Sequence, residues 1–331
     1  MMNEHKIHIA PGDYIADIDE FADGSEPRSR CRYYIEPYGP YQINEVGEAN
    51  YFAGNSVPYH EHTSGVETFL VDGGAVEVMS RSRKAVARKG DIVHLPPHTP
   101  HSIRVLEDDT IWRAFHQGHS LIPRMIDERR LRDNYPDIFN SPQFKQEQRE
   151  KERRNSNWYD YKTPVCAEVP VSEFPEIRSR DKSLARFSFD KLVLELVVGR
   201  WETCGANEVW RLVMGRGCSF AWAPSNAAPL LYDVFDGELL VSLDGMAPFT
   251  TKTRDLLHIP KFLGGRITAK EDTLLLDMSC QGRLMSYMDE FNYYRANMPE
   301  KLSDEAFLSE LMKKHDCYAN FGAASVQSGK S

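Results

Sequence analysis

A chain of 331 residues, 41% of them hydrophobic, is long enough for two domains of ordinary size, each with its own core. Its formal net charge of −9 argues against a general nucleic-acid binder. No run approaches the ~18 apolar residues of a membrane span, so the expected partner is a small molecule or another protein, with no nucleic acid and no membrane. The opening stretch "MMNEHKIHIAPGDYIADIDEF" carries early acidic residues and no apolar core of an export signal. Cys31, Cys166, Cys204, Cys218, Cys280 and Cys317 form no CxxC pair, a spacing that suits reduced thiols in a cytoplasmic protein.

In chain order, the first patterned region spans about residues 25–118, where β-branched and aromatic runs are split by Gly, Pro and Asp-Gly turns, as in an antiparallel sandwich or barrel. Within it, "PYHEHTSGVETFLVDGG" places His60 and His62 at i, i+2, on one side of a strand. Glu67 follows a turn containing Gly65, so a chain that doubles back there brings its carboxylate to the same point. In "GDIVHLPPHTPHSIRV", Pro96, Pro97 and Pro100 force a tight turn, after which His101 begins a new strand. Tyr51, Tyr59, Phe69, Arg104, Trp112, Arg113 and His116 lie on expected strands and are candidates for the interior. Arginines such as Arg104 and Arg113 would suit a carboxylate or enolate.

Residues 121–180 are polar and strongly charged, without period-2 alternation, and read as a helical linker. From about residue 187 to 282 the first pattern returns. "VDGGAVEV" at 71–78 resembles "FDGELLVS" at 235–242, and "GDIVHLP" at 90–96 resembles "RDLLHIP" at 254–260. The "ED" pairs at 107 and 271 and the "QG" pairs at 117 and 281 keep the same offset of 164. At that offset His60, His62, Glu67 and His101 meet Pro224, Asn226, Leu231 and Gly265, which offer no replacement ligand set. His94 meets His258, which points to a structural role, whereas His98 meets Phe262 and stays a candidate beside the site. After residue 286, Ser303 is positioned to cap a helix with Phe307, Leu308, Leu311 and Met312 on one face, suited to pack on a barrel or another subunit of a homo-oligomer. The tail beyond "NFGAAS" is small and polar and is expected to lack order.

The spacing from Gly54 through His60, His62 and Glu67 to Gly74, and from Gly90 through Pro96 to His101, resembles the two signature motifs of the cupin superfamily. His98 stands where the family usually has Gly, and Val105 where it often has Asn. The resemblance implies an all-β chain with two cupin (double-stranded β-helix, jelly-roll) barrels and helical inter-barrel and C-terminal segments. The implied domains are a metal-bearing barrel at 1–120, a helical linker at 121–180, a barrel without metal ligands at 181–285, and a C-terminal helix and tail at 286–331. It also implies that His60, His62, Glu67 and His101 hold one divalent transition metal. Three imidazoles and a carboxylate suit iron, manganese, nickel, cobalt, copper or zinc.

One complete site in a barrel pair resembles the quercetinase-type dioxygenases, in which the glutamate ligand takes up the substrate proton. Glu67 is then both ligand and base, with His98 and Arg104 as further catalytic candidates. The implied reaction is oxygen-dependent cleavage of an enolisable or phenolic, flavonol- or diketone-like molecule. Oxygen-independent isomerase, lyase, decarboxylase or C–C hydrolase chemistry needs the same ligands, and a non-enzymatic ligand-binding cupin is the third possibility.

Overall fold

The computed structural model describes residues 6–14, 16–19, 30–35, 44–63, 65–117, 121–158, 165–203, 205, 208–222, 229–279, 284–317 and 319–320. Pro224, Asn226 and the tail expected to lack order lie outside them. In chain order the elements are β1 (His8–Ile9), β2 (Ala16–Asp19), β3 (Arg30–Ile35), β4 (Asn44–Tyr51), β5 (Ser56–His62), β6 (Val66–Gly73), β7 (Ala75–Ser80), β8 (Arg83–Arg88), β9 (Ile92–Leu95), β10 (His101–Val105) and β11 (Thr110–Gln117). Next come helices α1 (Leu121–Asn134), α2 (Pro136–Phe139) and α3 (Pro142–Asn155), then β12 (Ser156–Trp158), β13 (Ala167–Glu168) and β14 (Ile177–Arg178). The second set is β15 (Ala185–Ser188), β16 (Leu192–Val198), β17 (Val209–Met214), β18 (Ser219–Trp222), β19 (Leu230–Asp236), β20 (Glu238–Leu243), β21 (Phe249–Lys252), β22 (Leu256–Ile259), β23 (Gly265–Ala269) and β24 (Thr273–Asp277). It closes with α4 (Leu284–Asn297), α5 (Glu305–Lys314) and β25 (Ala319–Asn320).

Two compact units result: residues 14–182, and residues 183–331 together with 1–13. Among the described residues the first unit has a large sheet, β14-β9-β6-β11-β4-β3-β2, and a small one, β12-β5-β10-β7-β8-β13. The second repeats them as β1-β22-β19-β24-β17-β16-β15 and β25-β18-β23-β20-β21. Period-2 alternation drives this arrangement. Phe69, Val71, Val93 and Trp112 of the large sheet meet Val76, Val78, Ala85 and Ile103 of the small one in a single core. The second core does the same with Trp210, Tyr232, Phe220 and Ile267. Gly74 and Gly237 turn the same corner in both, each with positive φ and with a hydroxyl, of Thr110 or Thr273, where a Cβ would stand; only glycine fits.

Three expectations are corrected. First, residues 1–13 belong with the second barrel, because β1 pairs antiparallel with its edge strand β22; β14, from the segment read as linker, closes the matching edge β9 of the first. Second, the repeat does not end with the barrels. Leu121 and Leu284, Met125 and Met288, Asn134 and Asn297, and Pro136 and Pro299 are each 163 apart, and β12 covers β5 as β25 covers β18. Each unit is thus a barrel, a helical arm and a closing strand. Third, Asp304 rather than Ser303 caps α5, its carboxylate accepting from the Ala306 and Phe307 amides. Among the described residues no helix is long and apolar enough to cross a membrane.

Candidate metal centre

The ligand strand is shaped by a β-bulge. β10 pairs with β5 as His101 to His60 but Ile103 to Val57, so the ligand strand holds one residue more than its partner. The matching pair in the second barrel is regular, Trp222 to Gly265 and Phe220 to Ile267. A bulge re-aims the side chains that follow it, and Pro58 sits where no ladder N–H is required.

Beyond the bulge, His60, His62, Glu67 and His101 bring one ligand atom each to within 4.8 Å of one another. Donor atoms ~2.0–2.2 Å from one ion can lie at most about 4.4 Å apart, so the set closes on an ion with shifts of a few tenths of an ångström. The ring centroids of His60 and His101 are 4.3 Å apart and those of His60 and His62 4.9 Å. His60 Nδ1 donates to the Pro58 carbonyl at 2.7 Å, and His101 Nδ1 to the Thr99 carbonyl at 2.8 Å. A carbonyl only accepts, so both rings carry their proton on Nδ1 and present a lone pair on Nε2. Burial, reinforced by neighbouring His101, pushes the His60 imidazole down to about 3, so it stays neutral, the form that binds metal.

Glu67 Oε2 accepts from His62 Nε2 at 2.9 Å and lies 3.3 Å from His101 Nε2. Burial pushes the Glu67 carboxyl up, but the adjoining His101 and His62 rings outweigh it and hold it well below the usual carboxylate range. Three imidazoles and one carboxylate, converging from largely buried positions, fit a divalent transition metal.

The other candidates divide. His98 is exposed, with φ +59°, and its backbone N–H donates to the His62 carbonyl at 2.7 Å. Phe262 has φ +63° in the matching turn; this left-handed position explains the family's preference for glycine. The structure therefore gives His98 a backbone role in the turn and does not bring its side chain into the cluster. Arg104 is corrected outright. Three residues from His101, it leaves β10 on the opposite face, exposed and paired with Glu77 at 2.8 Å. Arg113 is buried on the face of β11 opposite to Trp112 and donates to Glu48 at 3.4 Å. Phe69 and Trp112 are core, their rings 5.2 Å apart, with the Tyr51 ring tilted against Trp112 at 4.2 Å. His116 stands opposite Glu67 in the ladder. His94, its Nδ1 2.9 Å from Thr68 Oγ1, is buried like His258, in keeping with a structural role.

The register also moves the second-barrel equivalents. Glu67 opposes Leu95 as Leu230 opposes Ile259, and His60 opposes His101 as Trp222 opposes Gly265. Leu230 and Trp222 are core residues there. Among the described residues, the first barrel alone gathers such a cluster.

Residues 48–113 match the family model described as a cupin domain. No curated protein sequence matches the chain. Among solved structures, a Trp-to-Tyr variant of the Bacillus subtilis oxalate decarboxylase shares 13% identity at TM-score 0.51, over 84% of this chain and 78% of that one. The Lactobacillus farciminis oxalate decarboxylase in complex with formate shares 14% at TM-score 0.51, over 84% and 86%. A further structure of the B. subtilis enzyme, described for its Mn(II) centres, shares 12% at TM-score 0.50, over 84% and 78%. At this identity the likeness is one of fold. Residues 48–113 are thus matched as a cupin domain, and the repeated sheets give the chain the two-barrel fold of these structures.

Proposed function

We propose that the chain is a metal-dependent enzyme that cleaves a carbon–carbon bond in a small enolisable molecule, with dioxygen as co-substrate. The observation that carries this is the convergence of three imidazoles on Glu67, with two of the rings pinned by backbone carbonyls. A divalent transition metal held there would polarise substrate oxygens and keep positions open for them. His60 and His101 hold their Nε2 atoms on target, and Glu67 takes the proton that the substrate gives up as it becomes an enolate. The core rings of Phe69 and Trp112, with partly buried Tyr51 against Trp112, take up space in the same barrel. They favour a compact, diketone-like substrate over a flavonol.

Decarboxylation without net oxidation is the second reading, favoured by the two-barrel fold shared with the oxalate decarboxylases. Turnover of a β-diketone by metal-loaded protein, assayed in air and under strict anaerobiosis, separates the two. Loss of turnover without oxygen supports the first, and undiminished anaerobic turnover refutes it.

A further inference from the structure

Directly opposed residues of an antiparallel ladder share a face, as do residues two apart on one strand. In the first barrel one such row crosses the large sheet as Val93, Phe69, Ala114, Gly47 and Tyr33. It lies next to the metal centre, because Phe69 follows Glu67 by two residues on β6 and shares its face. Ala114, opposite Phe69, is thereby a diagonal neighbour of Glu67, about 7–8 Å away between backbones. Val93, Phe69, Ala114 and Tyr33 belong to the barrel core, so the row faces inward.

The second barrel supplies an internal control. There the same row reads Leu257, Tyr232, Asp277, Trp210 and Leu196. Gly47 thus stands in the place of the buried indole of Trp210, and Ala114 in that of Asp277. Tyr33 in the place of Leu196 returns only part of that bulk, so the row beside the metal carries much less side chain than its counterpart. Gly47 does not have positive φ, so its turn chemistry does not account for it. A Cβ there would stand 3.0 Å from Tyr33 Cδ1 and 3.1 Å from Cε1, so the missing side chain lets the phenol ring lie against the sheet. Folded interiors are close-packed. One frame that fills this row where ligands are absent, and pares it to a hydrogen and a methyl where they converge, has kept room beside the ion.

We propose that Gly47 and Ala114 form the floor of the first barrel's substrate pocket, with the Tyr33 ring as its wall, and that these residues set the size of substrate the metal centre admits. This rests on the chelating-substrate reading above. The class it names is a 1,3-dicarbonyl with a compact, apolar arm, which lies over Ala114 while the two oxygens turn to the metal. The test measures metal content and, without oxygen, affinity for acetylacetone and benzoylacetone in the metal-loaded wild type and in Ala114→Leu, Gly47→Ala and Tyr33→Leu. Ala114→Leu is expected to keep its metal and to bind acetylacetone about tenfold more weakly or worse. Gly47→Ala, which presses the Tyr33 ring inward, should weaken binding to a smaller degree. Tyr33→Leu, the side chain that the second barrel accommodates in this row, lowers the wall and should shift preference severalfold toward benzoylacetone. Unchanged affinities for both diketones in Ala114→Leu and Tyr33→Leu overturn the proposal. So does loss of metal in Ala114→Leu, which would make the residue a support of the ligands. A wild type that binds neither diketone counts instead against the chelating-substrate reading itself.

Discussion

Glu67 is assigned two jobs, and each has its own signature. As a ligand it helps hold the ion, and as a base it must accept a proton. Glu67→Gln keeps size and one ligand oxygen but removes most of the basicity. It should retain a substantial share of the metal while losing about 100-fold or more in turnover. His60→Ala and His101→Ala should lose metal and activity together, since each removes a lone pair that a backbone carbonyl has aimed. Metal analysis beside steady-state kinetics separates the patterns; near-normal turnover in Glu67→Gln would leave the carboxylate as a spare ligand only. Asp277, in the second barrel, offers a test of burial by itself. Burial pushes its carboxyl from 3.8 up to about 6, against the hydrogen bonds it accepts from Ser279. Between those values the folded chain keeps a proton that the unfolded chain has released, so this group's contribution to stability falls as pH rises through that window. Asp277→Asn keeps the acceptor for the Ser279 amide, 2.9 Å away, and removes the charge. Urea unfolding should show a gain on the order of 2–3 kcal/mol at pH 8 and almost none at pH 4. An equal gain at both would mean that the change acts through packing.

Among the elements, the helical arms show how one design serves two sequences. In the second unit Leu284, Tyr287, Met288, Phe291 and Leu311 are buried in the core. In the first, α2 has no buried residue, and Lys145 is exposed where Leu308 packs against the second core. Phe291→Ala or Leu311→Ala should therefore cost about 2–5 kcal/mol and Lys145→Ala within about 0.5, measured by denaturant unfolding. Deleting residues 300–331 removes α5 and β25 and should lower stability; unchanged melting would refute a packing role for that arm. The same contrast explains what the sequence made legible. Turn glycines, prolines and ligand histidines are single residues with fixed backbone or chemical demands, so the barrels and His60, His62, Glu67 and His101 can be read from spacing. The arms share their apolar positions only in part, and substitutions such as Phe291 to Glu128 conceal the kinship. A two-residue strand such as β1 has no periodicity to read, and the bulge in β5 accounts for one of the two positions by which the counterpart of His60 moves from Pro224 to Trp222. Gly47 and Ala114 carry no motif at all. Their place one row from Glu67 appears only once the ladder is in register.

For the whole molecule, the repeat predicts an asymmetric response to metal. Both units have the same two-sheet frame, yet Trp222 and Leu230 fill the second core where the first has His60 and Glu67. One ion per chain is expected, and binding to the folded form alone stabilises it by about 2.7 kcal/mol when free metal is 100 times Kd. That stabilisation belongs to the unit spanning residues 14–182, since the ligands come from β5, β6 and β10. Hydrogen exchange with and without metal should therefore gain protection across residues 44–117 and leave 192–277 nearly unchanged, and a chelator should reverse the gain. His62→Ala should abolish the effect while leaving the exchange pattern of the metal-free protein intact, because the barrel core of Phe69, Val93, Ile103 and Trp112 does not include the ligands. Two ions per chain, or equal protection in both units, would place a metal in the second barrel, and the apolar replacements at Trp222, Leu230 and Gly265 would then need another explanation.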